Sequence, residues 1–92
     1  MTKEQVNMMA GIIFNAVYHQ DKPDTPVEVT VTTKNSGGNL FIIGKPKKET
    51  AYEATIRTDG DFFVIEYANE GHTTYMLIEE ISQFDIVPII ED

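Results

Sequence analysis

The side chains of this 92-residue sequence best suited to acid–base chemistry near neutral pH or to metal binding are two histidines and fifteen acidic residues. His19 and Asp21 form the nearest local pair, and a metal site would need His19, His72 and carboxylates from distant segments to converge. The sequence has no cysteine, which excludes disulfides, thiolate chemistry and cysteine-based zinc sites. It also has no nucleophile motif and no phosphate-binding loop. We therefore expect no enzyme activity, no catalytic residue, no metal and no cofactor, and the role of the two histidines stays open.

The acidic residues are concentrated in the second half of the sequence. Residues 1–48 carry six bases and four acids, whereas residues 49–92 carry one base, Arg57, and eleven acids. A net charge of −8 repels nucleic acid and anionic membranes and speeds encounter with basic partners. We expect no direct nucleic-acid or membrane binding, and we interpret the acids as a face that docks onto a basic protein surface. The alternative is that the acidity serves solubility alone.

A helix is predicted over residues 3–19. Thr2-Lys3-Glu4-Gln5 matches a capping box, in which Thr2 and Gln5 bond each other's main-chain amides. The apolar stripe of this helix spans roughly 200°, wider than the ~100° that one core contact requires. We therefore expect the helix to contact a sheet and a second surface, such as another subunit. No segment is apolar enough to cross a bilayer, and the absence of cysteine and of a signal peptide favours the cytoplasm.

Alternating apolar and polar residues, with turn residues between them, predict strands after the helix. The predicted strands cover residues 27–33, 40–44, 51–58, 61–68, 73–79 and 84–90. The last of these contains Pro88, which cannot donate to a ladder, so its outer half is placed at a sheet edge.

Two turns predict the register of the central strands. Asp59-Gly60 is typical of a two-residue hairpin loop, and residues 69–71 are typical of a three-residue loop that pairs Ile65 with Tyr75. Together these choices assemble one continuous apolar face. Its members are Tyr52, Ala54, Ile56, Phe63, Ile65, Tyr67, Tyr75 and Leu77.

The same register places two carboxylate pairs across the ladder, Glu53 with Glu66 and Asp61 with Glu79. Like charges in such positions destabilise a sheet by about 0.2–1 kcal/mol. A fold that keeps them could use them as a cation site, an acid–base pair or a row of carboxylates. The alternative is that Arg57 and solvent relieve the repulsion, or that the register differs by one residue.

The predicted fold class is α+β, with the N-terminal helix packed on an antiparallel meander of five to six strands in a single domain, residues 1–92. The opposite sheet face also carries apolar residues, so the sheet must curl into a barrel or be covered twice. A helix leading into a strongly bent sheet is similar in outline to SH3-like and Sm-like barrels, a resemblance that concerns the fold and not the function. The competing architecture is a simple sheet with the helix on one face and a dimer contact on the other.

These features favour a non-catalytic interaction protein, an inhibitor or adaptor. In composition it is similar to small acidic proteins of phages and mobile elements, including inhibitors that mimic DNA. The carboxylates predicted to contact the basic partner are Glu53, Asp59, Asp61, Glu66, Glu70, Glu79 and Glu80. Self-association into a homo-oligomer is predicted through Met8, Ile12, Phe62, Val64, Met76 and Ile78.

A second hypothesis is a small-ligand-binding oligomer. Tyr18, Tyr52, Tyr67 and Tyr75 would then line a pocket between the sheet and the helix or between subunits. The alternative for these tyrosines is ordinary core packing with their hydroxyls at the surface.

Overall fold

The computed structural model describes residues 1–18, 25–35, 37–68 and 71–89. Within them the chain forms one α-helix, six strands and a short 3-10 helix. These elements are α1 (Lys3–Tyr18), β1 (Val27–Thr33), β2 (Gly37–Ile43), β3 (Ala54–Asp59), β4 (Phe62–Tyr67), β5 (His72–Leu77), η1 (Ile78–Glu80) and β6 (Ile81–Pro88). The α+β class with antiparallel strands is confirmed.

The capping box begins α1 as the sequence predicts. The Thr2 amide donates to Gln5 Oε1 at 2.8 Å, and the Gln5 amide donates to Thr2 Oγ1 at 3.1 Å. The helix then buries Val6, Ile13 and Val17 completely in the core. His19, the last residue of the predicted helix, lies outside the described residues.

The six strands form two three-stranded antiparallel sheets, in the orders β2-β1-β6 and β3-β4-β5. The predicted single meander is therefore wrong, because β6 returns to pair with β1 instead of continuing beside β5. The turn of η1 redirects the chain after β5, and Ile78 and Ile81 at its two ends are buried. β1 therefore has a neighbouring strand on each side, and every second residue of β1 is buried. Neither sheet closes on itself.

Three aromatic rings link the sheets through a shared core. The ring centroids of Phe41 and Phe63 are 6.4 Å apart, and those of Phe63 and Phe84 are 5.5 Å apart in an edge-to-face arrangement. These residues belong to β2, β4 and β6. A parallel bridge between Ile42 and Glu53 adds a direct main-chain connection between the sheets.

Pro88 lies in β6, an end strand of its sheet, so its predicted edge position agrees with the strand order. Pro88 pairs with Val27 at the end of the β1–β6 ladder. The next main-chain donor, the Ile89 amide, bonds the Pro26 carbonyl at 2.9 Å. Because hydrogen-bonded pairs alternate, the Pro88 nitrogen faces away from β1, and the missing amide proton removes no hydrogen bond of the ladder.

The β3–β4 register differs from the predicted one by two residues. Asp59 pairs with Phe62, so the two-residue loop is Gly60-Asp61 rather than Asp59-Gly60. Gly60 has φ 58°, a left-handed conformation that glycine adopts at little cost. Because the side-chain period of a strand is two, this shift leaves every residue on its predicted face.

The β4–β5 register differs by one residue, and that difference reverses the faces of β5. Tyr67 pairs with His72 and Phe63 with Met76, so four residues rather than three connect the strands. Met76 is consequently buried, whereas Tyr75 and Leu77 are exposed. The observed register thus buries the apolar thioether of Met76 and leaves the polar hydroxyl of Tyr75 accessible to solvent.

Candidate protein-interaction face

One face of the β3-β4-β5 sheet packs on the core, and the described residues leave much of the other face exposed. We call this second surface the outer face. Phe62, Tyr75 and Leu77 on it are 40%, 55% and 40% exposed, and the rings of Phe62 and Tyr75 meet edge to face at 6.0 Å. The alternation of the three strands assigns nine residues to this face: Thr55, Arg57, Asp59, Phe62, Val64, Glu66, Thr73, Tyr75 and Leu77.

Arg57 organises the charges of the outer face. Its Nε donates to Glu66 Oε1 at 2.9 Å, and a terminal nitrogen donates to Asp59 Oδ2 at 3.3 Å. The hydrogen bond with Glu66, and then the one with Asp59, raises the pKa of the Arg57 guanidinium above its ordinary value. A raised pKa means that the folded protein binds the guanidinium proton more tightly than the unfolded chain does. The resulting stabilisation of the fold is complete below the unfolded-state pKa of Arg57 and is lost only as pH rises through its folded-state pKa. Arg57 therefore keeps its charge, and holds the two carboxylates on this face, at any pH near neutral.

Further carboxylates lie at the border of the outer face. Asp61 Oδ1 is 3.3 Å from Lys3 Nζ, and Glu79 lines the same small cavity as these two residues and Leu77. Glu80 accepts a hydrogen bond from Asn35 at 3.1 Å. Five of the seven carboxylates predicted to contact a partner are thus on or around one face.

The remaining two predicted carboxylates are not part of this cluster. Glu53 bridges to Ile42 and lines a different groove, and Glu70 lies outside the described residues.

A cavity of about 450 Å³ adjoins the outer face along β5. Tyr75, Met76 and Leu77 all line it, although neighbouring residues of a strand point to opposite faces. A cavity touched by three consecutive residues lies at the margin of the strand rather than on one face, here beside the C-terminal half of β5. Its other described lining residues are Thr33, Asn35, Phe62 and Glu80.

Both predicted carboxylate pairs are wrong. Glu66 is opposite Thr55 and bonds Arg57, so it does not face Glu53. The Asp61 carbonyl accepts the Ile78 amide at 2.9 Å, which places Asp61 opposite Ile78 rather than Glu79. The shifted registers remove the like-charge contacts that the sequence interpretation required.

Half of the predicted self-association surface is buried inside the protomer. Val64, Met76 and Ile78 are 0%, 7% and 3% exposed, so they are unavailable to a second copy. Met76 and Ile78 belong to the core cluster, and Val64 lies between Arg57 and Tyr75 in the ladder. Met8, Ile12 and Phe62 are exposed, as that prediction requires.

Within the protomer, the described tyrosine side chains do not line one pocket between the sheet and the helix. Tyr67 donates to the Leu40 carbonyl at 3.4 Å, Tyr75 lies on the outer face, and Tyr52 is 51% exposed elsewhere. The side chain of Tyr18 lies outside the described part of the structure. Sequence periodicity could not separate these environments, because tyrosine suits either face of a sheet.

A groove of about 610 Å³ lies where the C-terminal half of α1 meets β2 and β3. No tyrosine is among its described lining residues. They are mostly apolar, with one cation and one anion: Phe14, Val17, Ile43, Gly44, Lys45, Glu53, Ala54, Thr55 and Ile56.

His72 has structural contacts, whereas His19 lies outside the described residues. The His72 ring stacks on Tyr67 with centroids 4.7 Å apart, and its Nε2 is 3.2 Å from Thr74 Oγ1. No group of three or more acidic, histidine or cysteine side chains suited to a metal occurs within the described residues.

Comparisons of the chain with protein families, with curated proteins and with solved structures found no match. The described part of the chain contains no helix with the length and hydropathy needed to cross a membrane.

Proposed function

We propose that this protein is a non-catalytic interaction module that presents the outer face to a basic protein surface. The observation that supports the proposal is the combination of exposed aromatic residues with surrounding carboxylates. Phe62 and Tyr75 offer rigid apolar contact area, and tyrosine is among the residues that contribute most to protein interfaces. Carboxylates at the border attract cationic side chains and guide the encounter.

Arg57 limits the electrostatic contribution of two of these carboxylates. Asp59 and Glu66 already bond its guanidinium, and Asp61 is paired with Lys3. Within the described residues Glu79 and Glu80 form no ion pair, and both belong to η1, which directly follows β5. We therefore place the strongest attraction for a basic side chain at that end of the outer face.

The proposal is tested with a panel of synthetic peptides of roughly eight residues, the length of a typical strand. Arginine or lysine alternates with threonine, valine or tyrosine in the panel, and matched peptides carry glutamate in place of the bases. We expect binding of basic members only, weakening as salt rises from ~0.05 M to ~0.5 M because screening shortens the range of the attraction. Equal affinity for basic and acidic peptides, or affinity independent of salt, would contradict the proposed function.

Two exposed tyrosines provide a matched pair of variants. Tyr75→Ala removes an aromatic ring of the outer face, whereas Tyr52→Ala removes a ring of similar exposure outside it. We expect Tyr75→Ala to weaken peptide binding about tenfold, the effect of an interface residue worth about 1.4 kcal/mol. Tyr52→Ala should leave the affinity unchanged.

A small-ligand-binding function is the second candidate. The groove beside α1 supports it, although no tyrosine is among the described residues that line this groove. Its volume of about 610 Å³ falls in the usual range for ligand sites, and its floor is apolar. Amphipathic small molecules that raise the melting temperature of the protein, but not that of an Ile56→Trp variant with a filled groove, would support this function.

We also propose that the two sheets behave as one barrel-like unit, with the cytoplasm as location and a homo-oligomer as the state in solution. The Ile42 amide, which bonds the Tyr52 carbonyl at 2.9 Å, and the shared aromatic core support the first point. Exposed Met8 and Ile12 on α1 support self-association.

A further inference from the structure

The open edge of β5 offers main-chain hydrogen-bonding groups. The Ile78 amide bonds the Asp61 carbonyl, which identifies this pair as a hydrogen-bonded pair of the β4–β5 ladder. Hydrogen-bonded and non-hydrogen-bonded pairs alternate in an antiparallel ladder. Thr73 and Tyr75 belong to non-hydrogen-bonded pairs, so their amides and carbonyls point away from β4. β5 is an end strand, and no hydrogen bond within the described residues reaches these groups.

β5 also lacks the devices that protect sheet edges. Natural edge strands carry charged residues or proline, which prevent another strand from pairing. β6 contains Asp85 and Pro88, and β3 contains Arg57 and Asp59, whereas β2 and β5 contain no lysine, arginine, acidic residue or proline. The edge of β2 is partly occupied, because the Ile42 amide bonds the Tyr52 carbonyl. The cavity of about 450 Å³ beside β5 provides space along this edge.

We propose, on the basis of the function proposed above, that the partner binds as an extended segment that adds a strand to the edge of β5. Main-chain hydrogen bonds to Thr73 and Tyr75 give such a strand its affinity, and its alternate side chains give it specificity. Side chains on one side of the added strand reach the outer face beside Tyr75 and the border carboxylate Glu80. Those on the other side enter the space next to Met76.

Charge decides between two possible occupants of this edge. A second copy of the chain would bring another net charge of −8 and another Glu79 and Glu80 to the same place. A basic segment brings the opposite charge, and an arginine or lysine can stack on the exposed ring of Tyr75. The occupant is therefore an extended partner segment in which basic residues alternate with small or apolar residues.

N-methylated peptides test the main-chain contacts separately from charge. The tightest-binding basic peptide of the panel is made in two further versions, with N-methyl groups at its odd or at its even positions. Only one set of amides faces β5 in an added strand, so one version should lose affinity at least about tenfold while the other keeps it. The two versions have the same side chains and charge, and each is the control for the other.

The outcomes separate this inference from the proposed function. Selective loss with one methylated version supports strand addition. Equal affinities of the two versions overturn strand addition and leave the proposed function intact, whereas failure of every unmodified basic peptide to bind overturns both. Sedimentation that shows a dimer of the free protein, abolished by Thr73→Pro, would assign the edge to a second copy instead.

Amide hydrogen exchange gives an independent readout on the protein. Peptide binding should slow exchange of the Tyr75 amide, which gains a partner. It should leave the Thr74 amide unchanged, because Thr74 and Ile65 form a pair of the β4–β5 ladder that is hydrogen-bonded without the peptide. Slowing at both amides, or at neither, contradicts strand addition.

Discussion

The register of β5 makes a prediction that one pair of alanine substitutions can test. Met76 is 7% exposed and lies in the core cluster, whereas its neighbour Tyr75 is 55% exposed. The register expected from the sequence would place Tyr75 in the core and Met76 outside. Truncating each side chain in turn therefore distinguishes the two registers.

The expected magnitudes follow from burial. Met76→Ala leaves a cavity next to Phe63 and should lower the free energy of unfolding by about 2–5 kcal/mol. Tyr75→Ala removes a side chain that is about half exposed, and the loss should be about 1 kcal/mol or less. A domain of this size has a total stability of about 5–14 kcal/mol, so the first change is large and the second is small.

Urea unfolding followed by circular dichroism measures both changes. With an m-value of about 1 kcal/mol per M, Met76→Ala should lower the midpoint by about 2 M or more, and Tyr75→Ala by about 1 M or less. The m-value should stay the same, because neither substitution alters the surface exposed on unfolding by much. If Tyr75→Ala costs as much as Met76→Ala, the β4–β5 register described here is wrong, and the outer face with it.

Two further predictions concern local structure. Thr2→Ala removes the hydroxyl that caps the Gln5 amide and should lower the free energy of unfolding by about 1 kcal/mol, and an unchanged urea midpoint would contradict the capping role. Gly44 has φ 102°, and an added Cβ would lie 2.9 Å from Pro26 Cα, so Gly44→Ala should destabilise by about 1–3 kcal/mol. Gly11→Ala is the matched control, because its Cβ meets nothing within 4 Å and the helix should gain about 0.8–1 kcal/mol. Thermal unfolding of the two glycine variants should shift in opposite directions, and a shift in the same direction would refute the strain at Gly44.

Local patterns in the sequence predicted the helix and the six strands of this protein, although β2 and β6 each begin three residues before the predicted starts at residues 40 and 84. The capping box begins α1 as predicted, and strict alternation gives β1 over Val27–Thr33, the same bounds as the predicted strand. Such features depend on residues close together in the chain, whose spacing is readable directly. The concentration of acidic residues in the second half was also visible from the sequence alone.

Tertiary structure decided which strands meet and which face of β5 is exposed. The return of β6 to β1 depends on pairs of residues that are 48 to 61 positions apart, and no local pattern encodes that choice. One additional residue in the β4–β5 loop buries Met76 and exposes Tyr75, because adjacent strand residues point in opposite directions. Which residues of β5 lie on the outer face therefore depends on the length of the β4–β5 loop. Several turn types fit this part of the sequence, and only the packing of the whole chain selects one of them.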